Sequence, residues 1–462
     1  MRLPLLRFLQ VAICASLVIC SIACAAAPEP EFEFKYESDA ALRQLLEKQV
    51  PVYPQTRFIV FSDPHLYDPA LGTEGKAFED YLADDRKLLK ESVEILETAV
   101  ATIKKEDVDF VLVPGDLTKD GEKASHELCA SYLRQLEVSG KPVYVVPGNH
   151  DVKNGHSFRY IGDVVERVPN VTAEEFARIY REFGYDEALY RDPDSLSYVA
   201  VLKPGLWLLA LDSCLYRENV EGQEPVTDGR FSLATLRWIE DMLEKAARGN
   251  NAVIAMLHHG IVEHYKGQEK NYGEYLLDDF PMVSKLLAMY NVRLVFTGHY
   301  HAQDITVARW TKGDRFLFDI ETGSLVTYPC PYRIVSVNAS QEALVQTKYI
   351  QSIPSHPTGF PEYAKKYLLE GIAGIASRVI QEYDVPAAEA DRLGRQVALA
   401  FLTHYAGDEK LAPGQEVIQS KGLSLRGWLV VTYRKGLVHG LWHDLEPPDN
   451  NLTIYLTTGK WQ

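Results

Sequence analysis

The chain has 462 residues, 46% of them hydrophobic, which is ordinary for a globular protein and long enough for one large domain and a smaller one. Its formal net charge of -16 argues against a broad contact with a nucleic-acid backbone, which depends on clustered Lys and Arg. We therefore expect no nucleic acid as the main partner.

The first residues are typical of an export signal. Two arginines precede an apolar stretch, which ends in small residues before an acidic, proline-containing segment. Cys24 follows a Ser-Ile-Ala sequence that resembles the bacterial lipoprotein cleavage box, with serine where an aliphatic residue is usual. Lipidation at Cys24, ordinary cleavage near residues 25–27 and an uncleaved anchor all remain open. Each places the rest of the chain outside the cytoplasm: in the periplasm or on a lipid anchor in a bacterium, and secreted otherwise.

Three of the six cysteines lie in this leader, so the folded part keeps Cys129, Cys214 and Cys330. Their spacing shows no pairing pattern, and at most one bridge can form among three. We expect buried free thiols and no disulfide framework.

From Arg57 onward, short β-rich apolar runs alternate with amphipathic helical stretches, which predicts an α/β core with an antiparallel element towards its end. Strands are predicted at 57–61, 109–113, 142–146, 195–202, 206–212, 252–257 and 292–296, and helices at 84–106, 122–138 and 233–247. After about residue 352 the pattern becomes mostly helical. We divide the chain into a signal peptide (1–27), an N-terminal segment (28–54), a main domain (55–352) and a helical C-terminal domain or cap (353–462).

Side chains of metal-ligand type follow five successive predicted strands: Asp63 and His65; Asp116; Asn149, His150 and Asp151; His258 and His259; His299 and His301. The carboxyl ends of strands form the ligand crevice of an open α/β sheet, so these residues are expected to meet there. Carboxylate, imidazole and amide oxygen without thiolate suit Mn, Fe or Zn. One bridging carboxylate and about six further ligands suffice for two such ions.

These blocks resemble the calcineurin-like metallophosphoesterase family, whose pattern runs D-x-H, G-D, G-N-H-[DE], H and G-H-x-H. All five blocks occur in order from Asp63 to His301. The resemblance implies a four-layer α/β/β/α sandwich with a dinuclear metal site at the sheet edge. It implies one metal held by Asp63, His65 and His301, a second held by Asn149, His258 and His299, and Asp116 as the bridge between them.

The resemblance also implies hydrolysis of a phosphoester by attack of a metal-bound hydroxide. His150 would stabilise or protonate the leaving oxygen, and Asp151 would orient either the loop or the imidazole. In many relatives a carboxylate three residues after the bridging Asp pairs with the catalytic His. Here Lys119 stands at that position and Asp120 follows it, so the orienting partner of His150 stays open. The purple iron subgroup of this family has a tyrosine ligand three residues after the bridging Asp. Lys119 stands at that position here, so we reject membership of that subgroup.

Each of four further residues has two possible roles. His259 could replace its neighbour His258 as a ligand, although the family pattern favours His258. His156 and His264 lie in predicted loops, where each either contacts phosphate or is solvated. Lys119 either pairs with a phosphate oxygen or is a surface lysine.

Residues 115–122, GDLTKDGE, resemble the cyclic-nucleotide phosphodiesterase-like branch, so hydrolysis of a small phosphodiester is the preferred function. Two alternatives share the fold: a phosphomonoesterase or nucleotidase, and a phospholipid-head-group esterase. A third is a non-catalytic surface binding protein with a residual metal site, but every expected ligand and His150 are present, which favours an enzyme. Membrane contact is expected only through a lipid at Cys24, and the oligomeric state is open.

Overall fold

The computed structural model describes residues 33–310 and 315–462, so the predicted leader with Cys24 lies outside the described residues. The strands are β1 (Thr56–Val60), β2 (Phe110–Val113), β3 (Val143–Val145), β4 (Phe158–Ile161), β5 (Val164–Arg167), β6 (Tyr190–Arg191), β7 (Tyr198–Lys203), β8 (Leu206–Leu211), β9 (Ala252–Leu257), β10 (Leu294–Thr297), β11 (Asp304–Trp310), β12 (Arg315–Glu321), β13 (Pro331–Val337), β14 (Glu342–Tyr349) and β15 (Asn451–Tyr455). The helices are α1 (Lys35–Ser38), α2 (Ala40–Lys48), α3 (Lys76–Leu82), α4 (Ser92–Ile103), α5 (Lys123–Val138), α6 (Ala173–Ile179), α7 (Leu233–Arg248), α8 (Gln268–Tyr272), α9 (Phe280–Met289), α10 (Phe360–Gln381), α11 (Ala387–Ala406) and α12 (Leu425–Gly440).

Two mixed sheets pack face to face. The first has the order β15-β14-β13-β1-β2-β3, in which β1, β2 and β3 are parallel and the other pairs antiparallel. The second has the order β11-β12-β10-β9-β8-β7-β6, with parallel pairing from β12 to β8. Phe58 of the first sheet meets Phe296 of the second edge to face, with ring centroids 5.4 Å apart.

The apolar runs form inner strands because both of their faces are buried. All six residues of β9 are buried: Ile254 and Met256 join the core between the sheets, whereas Val253 and Leu257 join the core under α7 and α9. Helices α4 and α5 pack against the first sheet through the same core as β1 and β2. The four layers are therefore α4 and α5, the first sheet, the second sheet, and α7 and α9, which confirms the predicted α/β/β/α sandwich.

The C-terminal region contains the helices α10, α11 and α12, as its pattern predicts. It also contains β15, which the helical pattern did not predict and which pairs with β14 at the edge of the first sheet. None of the described helices combines the length and the hydropathy needed to cross a membrane. Cys129, Cys214 and Cys330 are free thiols, and the first and last of them are buried.

The predicted helix over 84–106 is shorter in the structure, where α4 begins at Ser92. Residues before it form an irregular segment, anchored where the Leu88 N–H donates to the Val326 carbonyl at 2.8 Å. Tertiary contacts thus override the helical periodicity of this stretch. A second difference is the β4–β5 hairpin, in a region that the sequence left unassigned.

Candidate metal centre

The carboxyl ends of β1, β2 and β3 lie beside those of β9 and β10, so the five sequence blocks meet at one edge of the sandwich. Adjacent loops are joined by backbone bonds: the Asp63 N–H donates to the Gly115 carbonyl at 3.2 Å, and the Gly298 N–H donates to the His258 carbonyl at 3.0 Å. Glycine is required where the loops approach closely. A Cβ at Gly148 would overlap the Asp116 carboxylate, and one at Gly298 would overlap the Asp63 carboxylate.

Five of the predicted ligands have a left-handed backbone conformation, which residues other than glycine rarely adopt. Their φ angles are 50° at Asp63, 36° at His65, 48° at Asp116, 75° at His299 and 70° at His301. Each such residue costs about 1–3 kcal/mol, and this strain is retained mainly where a site requires it. Five of the seven predicted ligands thus share this strained backbone, which supports the sequence pattern.

Asp63, His65, Asp116 and His301 form the first ligand group, and all four are buried. The Nε2 atoms of His65 and His301 are 3.0 Å apart, and His301 Nε2 is 3.5 Å from Asp63 Oδ1. Burial lowers the pKa of both imidazoles below its ordinary value, so each is neutral and can offer a lone pair. Two imidazole nitrogens and carboxylate oxygens this close suit a transition-metal ion.

Asp116, His258 and His299 form the second group, with Asn149 beside it. His258 Nε2 lies 3.4 Å from Asp116 Oδ2 and 3.3 Å from Asn149 Oδ1. Burial opposes a charge on His258, but the Asp116 carboxylate raises the pKa of this imidazole to about 9. The position between these side chains therefore favours positive charge, which a metal ion can supply in place of the proton.

Hydrogen bonds on the far side of each ring decide which nitrogen can bind a metal. His258 Nδ1 donates to the Pro114 carbonyl at 2.8 Å, which leaves Nε2 with its lone pair. His299 Nε2 donates to the Thr227 carbonyl at 3.2 Å, which leaves Nδ1 for the ion.

Asp116 lies between the two groups. Its Oδ2 atom is 3.4 Å from His65 Nε2 in the first group and 3.4 Å from His258 Nε2 in the second. Its Oδ1 atom accepts the His150 N–H at 2.9 Å, which fixes the carboxylate. The structure thus brings all seven predicted ligands together, and their oxygen and nitrogen donors fit two ions that share the Asp116 carboxylate.

His150 lies at the edge of the ligand groups, with its ring centroid 5.0 Å from that of His65. Its side chain is 22% exposed, whereas the ligands are buried, so it faces the opening of the site. His150 Nδ1 donates to Asp120 Oδ1 at 2.8 Å. Asp120, one position later than in the family pattern, is therefore the orienting partner that the sequence left open.

Burial alone would raise the pKa of Asp120, but the Lys119 ammonium and the His150 hydrogen bond lower it below its ordinary value. Lys119 is fully buried, so the prediction of a surface lysine is wrong. Its Nζ contacts Asp120 Oδ2, lies 3.5 Å from Glu122 Oε1 and stands 4.0 Å from the centroid of the Tyr81 ring. Because Lys119 is enclosed by these groups, it keeps Asp120 ionised, and pairing with a phosphate oxygen is also excluded.

The sequence leaves open whether Asp151 orients its loop or the imidazole of the catalytic His150, and the hydrogen bonds of Asp151 favour the loop. Its Oδ2 accepts the N–H groups of Leu117 at 3.0 Å and Gly148 at 2.8 Å, and its Oδ1 accepts that of Thr118 at 3.0 Å. All these atoms are buried, and the carboxylate makes no contact with the imidazole of His150. Asp151 is a positioning residue that ties the loop after β2 to the loop after β3.

His259 does not join the ligands. Its Nδ1 is 2.7 Å from Ser213 Oγ and its Nε2 is 2.9 Å from the Thr227 carbonyl, so both ring nitrogens are occupied. His258 is therefore the neighbour that faces the second group, as the family pattern favours.

His264 and His156 lie apart from the ligand groups. His264 is buried, and its Nδ1 is 2.8 Å from Asp304 Oδ1, so neither of its predicted roles, phosphate contact or a solvated loop position, is right. His156 Nδ1 is 3.2 Å from Oε1 of the mostly exposed Glu224, which leaves it in a surface ion pair.

Lys87 is a site residue that sequence reasoning missed, because the helical pattern of 84–106 hid it. Its side chain is largely buried, its Nζ lies 3.3 Å from Asp85 Oδ2, and its charge contributes to lowering the pKa of both His65 and His301. The neighbouring Arg86 Nε donates to the Tyr405 hydroxyl of α11 at 3.1 Å. The C-terminal helices thus support the segment that carries Lys87.

Comparisons with known proteins agree with this geometry. Residues 56–303, more than half of the chain, match the family model described as calcineurin-like phosphoesterase. A protein named probable glycerophosphodiester phosphodiesterase GpdQ, from Arcobacter nitrofigilis, is 27% identical over 209 residues, which cover 44% of this chain and 60% of that protein. The uncharacterized metallophosphoesterase-like protein YydB of Bacillus subtilis is 20% identical over 319 residues, which cover 64% and 60% respectively. The matches thus span about 60% of the length of these relatives.

Solved structures with a similar arrangement include a dimetal phosphatase from Danio rerio, with a TM-score of 0.45 and 15% identity, over 65% of this chain and 96% of that one. A purple acid phosphatase from yellow lupin seeds has a TM-score of 0.39 and 14% identity, over 65% and 53%.

Proposed function

Because the chain belongs to the calcineurin-like phosphoesterase family, we propose that it is an exported, dinuclear-metal-dependent phosphodiesterase. The observation that carries this proposal is the position of Asp116 Oδ2, 3.4 Å from an imidazole nitrogen of each ligand group. A single oxygen shared in this way is suited to a pair of ions, the arrangement used for in-line displacement at phosphorus.

Asp63, His65 and His301 would hold one ion, Asn149, His258 and His299 the other, and Asp116 both. The oxygen and nitrogen donors suit Mn, Fe or Zn. When bound, two such ions lower the pKa of a water molecule and offset negative charge on the phosphoryl oxygens, effects that together contribute several kcal/mol.

His150 is suited to act as the general acid. The ionised Asp120 holds its Nδ1 proton, so Nε2 can carry a second proton towards the leaving oxygen of the substrate. Water adds to phosphorus and loses one proton to solvent, the bond from phosphorus to the leaving oxygen breaks, and the proton from His150 converts that oxygen to an alcohol. His150 then regains a proton from solvent. The positive charge of Lys87, which acts on His65 and His301, would also attract the phosphate anion.

Two observations favour a diester substrate. Residues 115–122 resemble the cyclic-nucleotide phosphodiesterase-like branch, and the relative from Arcobacter nitrofigilis carries a phosphodiesterase name. Export rests on the leader at residues 1–27, with lipidation at Cys24, ordinary cleavage near residues 25–27 and an uncleaved anchor as its three alternatives.

The test uses the chain from residue 28, assayed with bis-p-nitrophenyl phosphate and with p-nitrophenyl phosphate. The assays are run with Mn²⁺, after chelation, and with the variants Asp116→Ala and Asp107→Ala, the second being an exposed aspartate that serves as the matched control. We expect faster diester hydrolysis that is lost on chelation and in Asp116→Ala but kept in Asp107→Ala. A preference for the monoester would favour the phosphatase or nucleotidase alternative. Absence of metal-dependent turnover of both substrates would favour the binding-protein alternative.

A further inference from the structure

A separate group of carboxylates lies where the C-terminal region meets β11. Oxygens of Asp408, Asp444 and Asp449 all lie within 4.8 Å of one another, and we call these three residues the carboxylate triad. None of them belongs to the proposed catalytic centre. Asp408 follows α11, and the other two lie between α12 and β15.

Backbone hydrogen bonds position two members of the triad. The Asp449 N–H donates to Asp408 Oδ1 at 3.0 Å, and Asp449 Oδ1 accepts the Ile305 N–H of β11, also at 3.0 Å. Asp444 differs from them, because its Oδ1 is buried and has no hydrogen-bond partner among the described residues. Two carboxylates are thus fixed and the third faces them without a proton donor.

Two further carboxylates, Asp304 and Glu409, give a second and independent indication of a cation. They are 0% and 2% exposed, and each uses one oxygen to hold a histidine: Asp304 Oδ1 is 2.8 Å from His264 Nδ1, and Glu409 Oε1 is 2.7 Å from His404 Nδ1. Their other oxygens, Asp304 Oδ2 and Glu409 Oε2, are buried without a hydrogen-bond partner. A buried carboxylate oxygen in this state is costly unless positive charge lies nearby.

The charges of Asp304 and Glu409 act on the triad. Burial, and then the Asp304 carboxylate, raise the pKa of Asp449 well above its ordinary value and that of Asp444 to about 8. Lys410 opposes this effect at Asp444, and Arg333 donates to the Asp304 and Asp449 carbonyls instead of to their side chains. Although burial favours the neutral form, the Asp304 carboxylate also raises the pKa of His264 well above its ordinary value, so this imidazole supplies positive charge to Asp304. The triad, in contrast, receives its hydrogen bonds from neutral N–H groups.

We propose that the carboxylate triad binds a structural Ca²⁺ ion. Its ligands are carboxylate oxygens without imidazole or thiolate, the donor set that a hard cation prefers, in contrast to the histidine-rich catalytic centre. Asp304 and Glu409 add negative charge behind the triad. Bound Ca²⁺ would join the loop after α11 and the loop before β15 to β11, whose first residue lies three positions after the proposed ligand His301.

The decisive variant is Asp444→Asn, because no hydrogen bond holds this carboxylate and the amide has the same shape. The full chain is freed of metal by chelation and titrated with Ca²⁺, with binding followed by calorimetry and the melting temperature by circular dichroism. Asp384→Asn, an aspartate of the same region outside the cluster, is the matched control. All proteins carry Asp116→Ala, so that the catalytic centre does not dominate the signal.

We expect saturable binding of about one Ca²⁺ and a rise of a few degrees in melting temperature at saturation, in the parent and in Asp384→Asn. Asp444→Asn should lose at least tenfold in Ca²⁺ affinity. Above about pH 8 and without Ca²⁺ it should also melt higher than the parent, because the parent then carries a repelling Asp444 charge that the variant lacks. If the role of Asp444 were purely structural, Asp444→Asn would change the melting temperature but leave the Ca²⁺ affinity unchanged. Absence of saturable binding to the parent, or unchanged affinity in Asp444→Asn, would overturn the proposal.

Discussion

Asp120→Asn is expected to impair hydrolysis although the substitution is nearly isosteric. Both oxygens of Asp120 accept from donors: Oδ1 from His150 Nδ1 at 2.8 Å and from Asn154 Nδ2 at 3.4 Å, and Oδ2 from Lys119 and from the Tyr81 hydroxyl at 3.3 Å. An asparagine offers one oxygen and one NH₂ group. It must therefore turn a donor towards either His150 or Lys119.

The magnitude follows from the lost bond. A hydrogen bond to a charged group contributes about 1.5–3 kcal/mol. If that interaction holds His150 in its productive orientation, kcat/KM should fall roughly 10- to 150-fold, at about 1.4 kcal/mol for each factor of ten. Adding Lys119→Met removes the competing ammonium, so the asparagine oxygen can turn towards His150. The double variant should therefore recover part of the loss.

The assay compares two diesters, one with a p-nitrophenolate leaving group and one with a poor alkoxide leaving group. Proton donation matters only for the poor leaving group, so Asp120→Asn should slow that substrate much more than the other. Melting temperatures separate this effect from unfolding. Equal rates of wild type and Asp120→Asn on the alkoxide diester, or equal losses on both substrates, would refute the role of Asp120 as the orienting partner of His150.

Three further outcomes are expected. Asp151→Ala leaves three buried backbone N–H groups without an acceptor, at about 1–3 kcal/mol each, so urea denaturation should show a loss of at least about 3 kcal/mol; a smaller loss would contradict its positioning role. His258→Ala should lose bound metal by elemental analysis, whereas His259→Gln should retain it, and the reverse result would exchange their assignments. Burial and the Asp304 carboxylate raise the pKa of Asp444 from 3.8 to about 8, so between these values the folded state binds a proton that the unfolded state does not. The stability that this proton contributes at low pH is lost as pH rises through about 8. In a chelator, the melting temperature should therefore fall between about pH 5 and pH 8, and Asp444→Asn should flatten this profile; a wild-type profile that rises over this range would contradict the assignment.

The ligand set could be predicted from the sequence because it depends on local signals. Asp63, Asp116 and His258 each follow a continuous apolar run, and glycines mark the close turns around them. Such runs are typical of inner strands, which are buried on both faces. The carboxyl ends of parallel strands then bring distant residues together.

What the sequence could not provide depends on contacts between distant segments. The rings of Tyr67, Tyr81 and Tyr160, which lie far from Lys119 in the chain, surround its ammonium group. Residue spacing alone also cannot show that Asp120 is the residue that reaches His150. Lys87 was hidden in a helical pattern that a contact to Val326 interrupts. The strand β15 is short and forms only because β14 offers an edge.

The central claim is that Asp116 joins two ions, and electron paramagnetic resonance of the Mn²⁺-loaded chain tests it most directly. Two Mn²⁺ ions that share a carboxylate give a spin-coupled spectrum, whereas isolated ions do not. We predict the coupled spectrum for wild type and for the Asp107→Ala control, and only isolated Mn²⁺, without diester hydrolysis, for Asp116→Ala. A wild-type spectrum of isolated Mn²⁺ alone, or a coupled and active Asp116→Ala variant, would contradict the account.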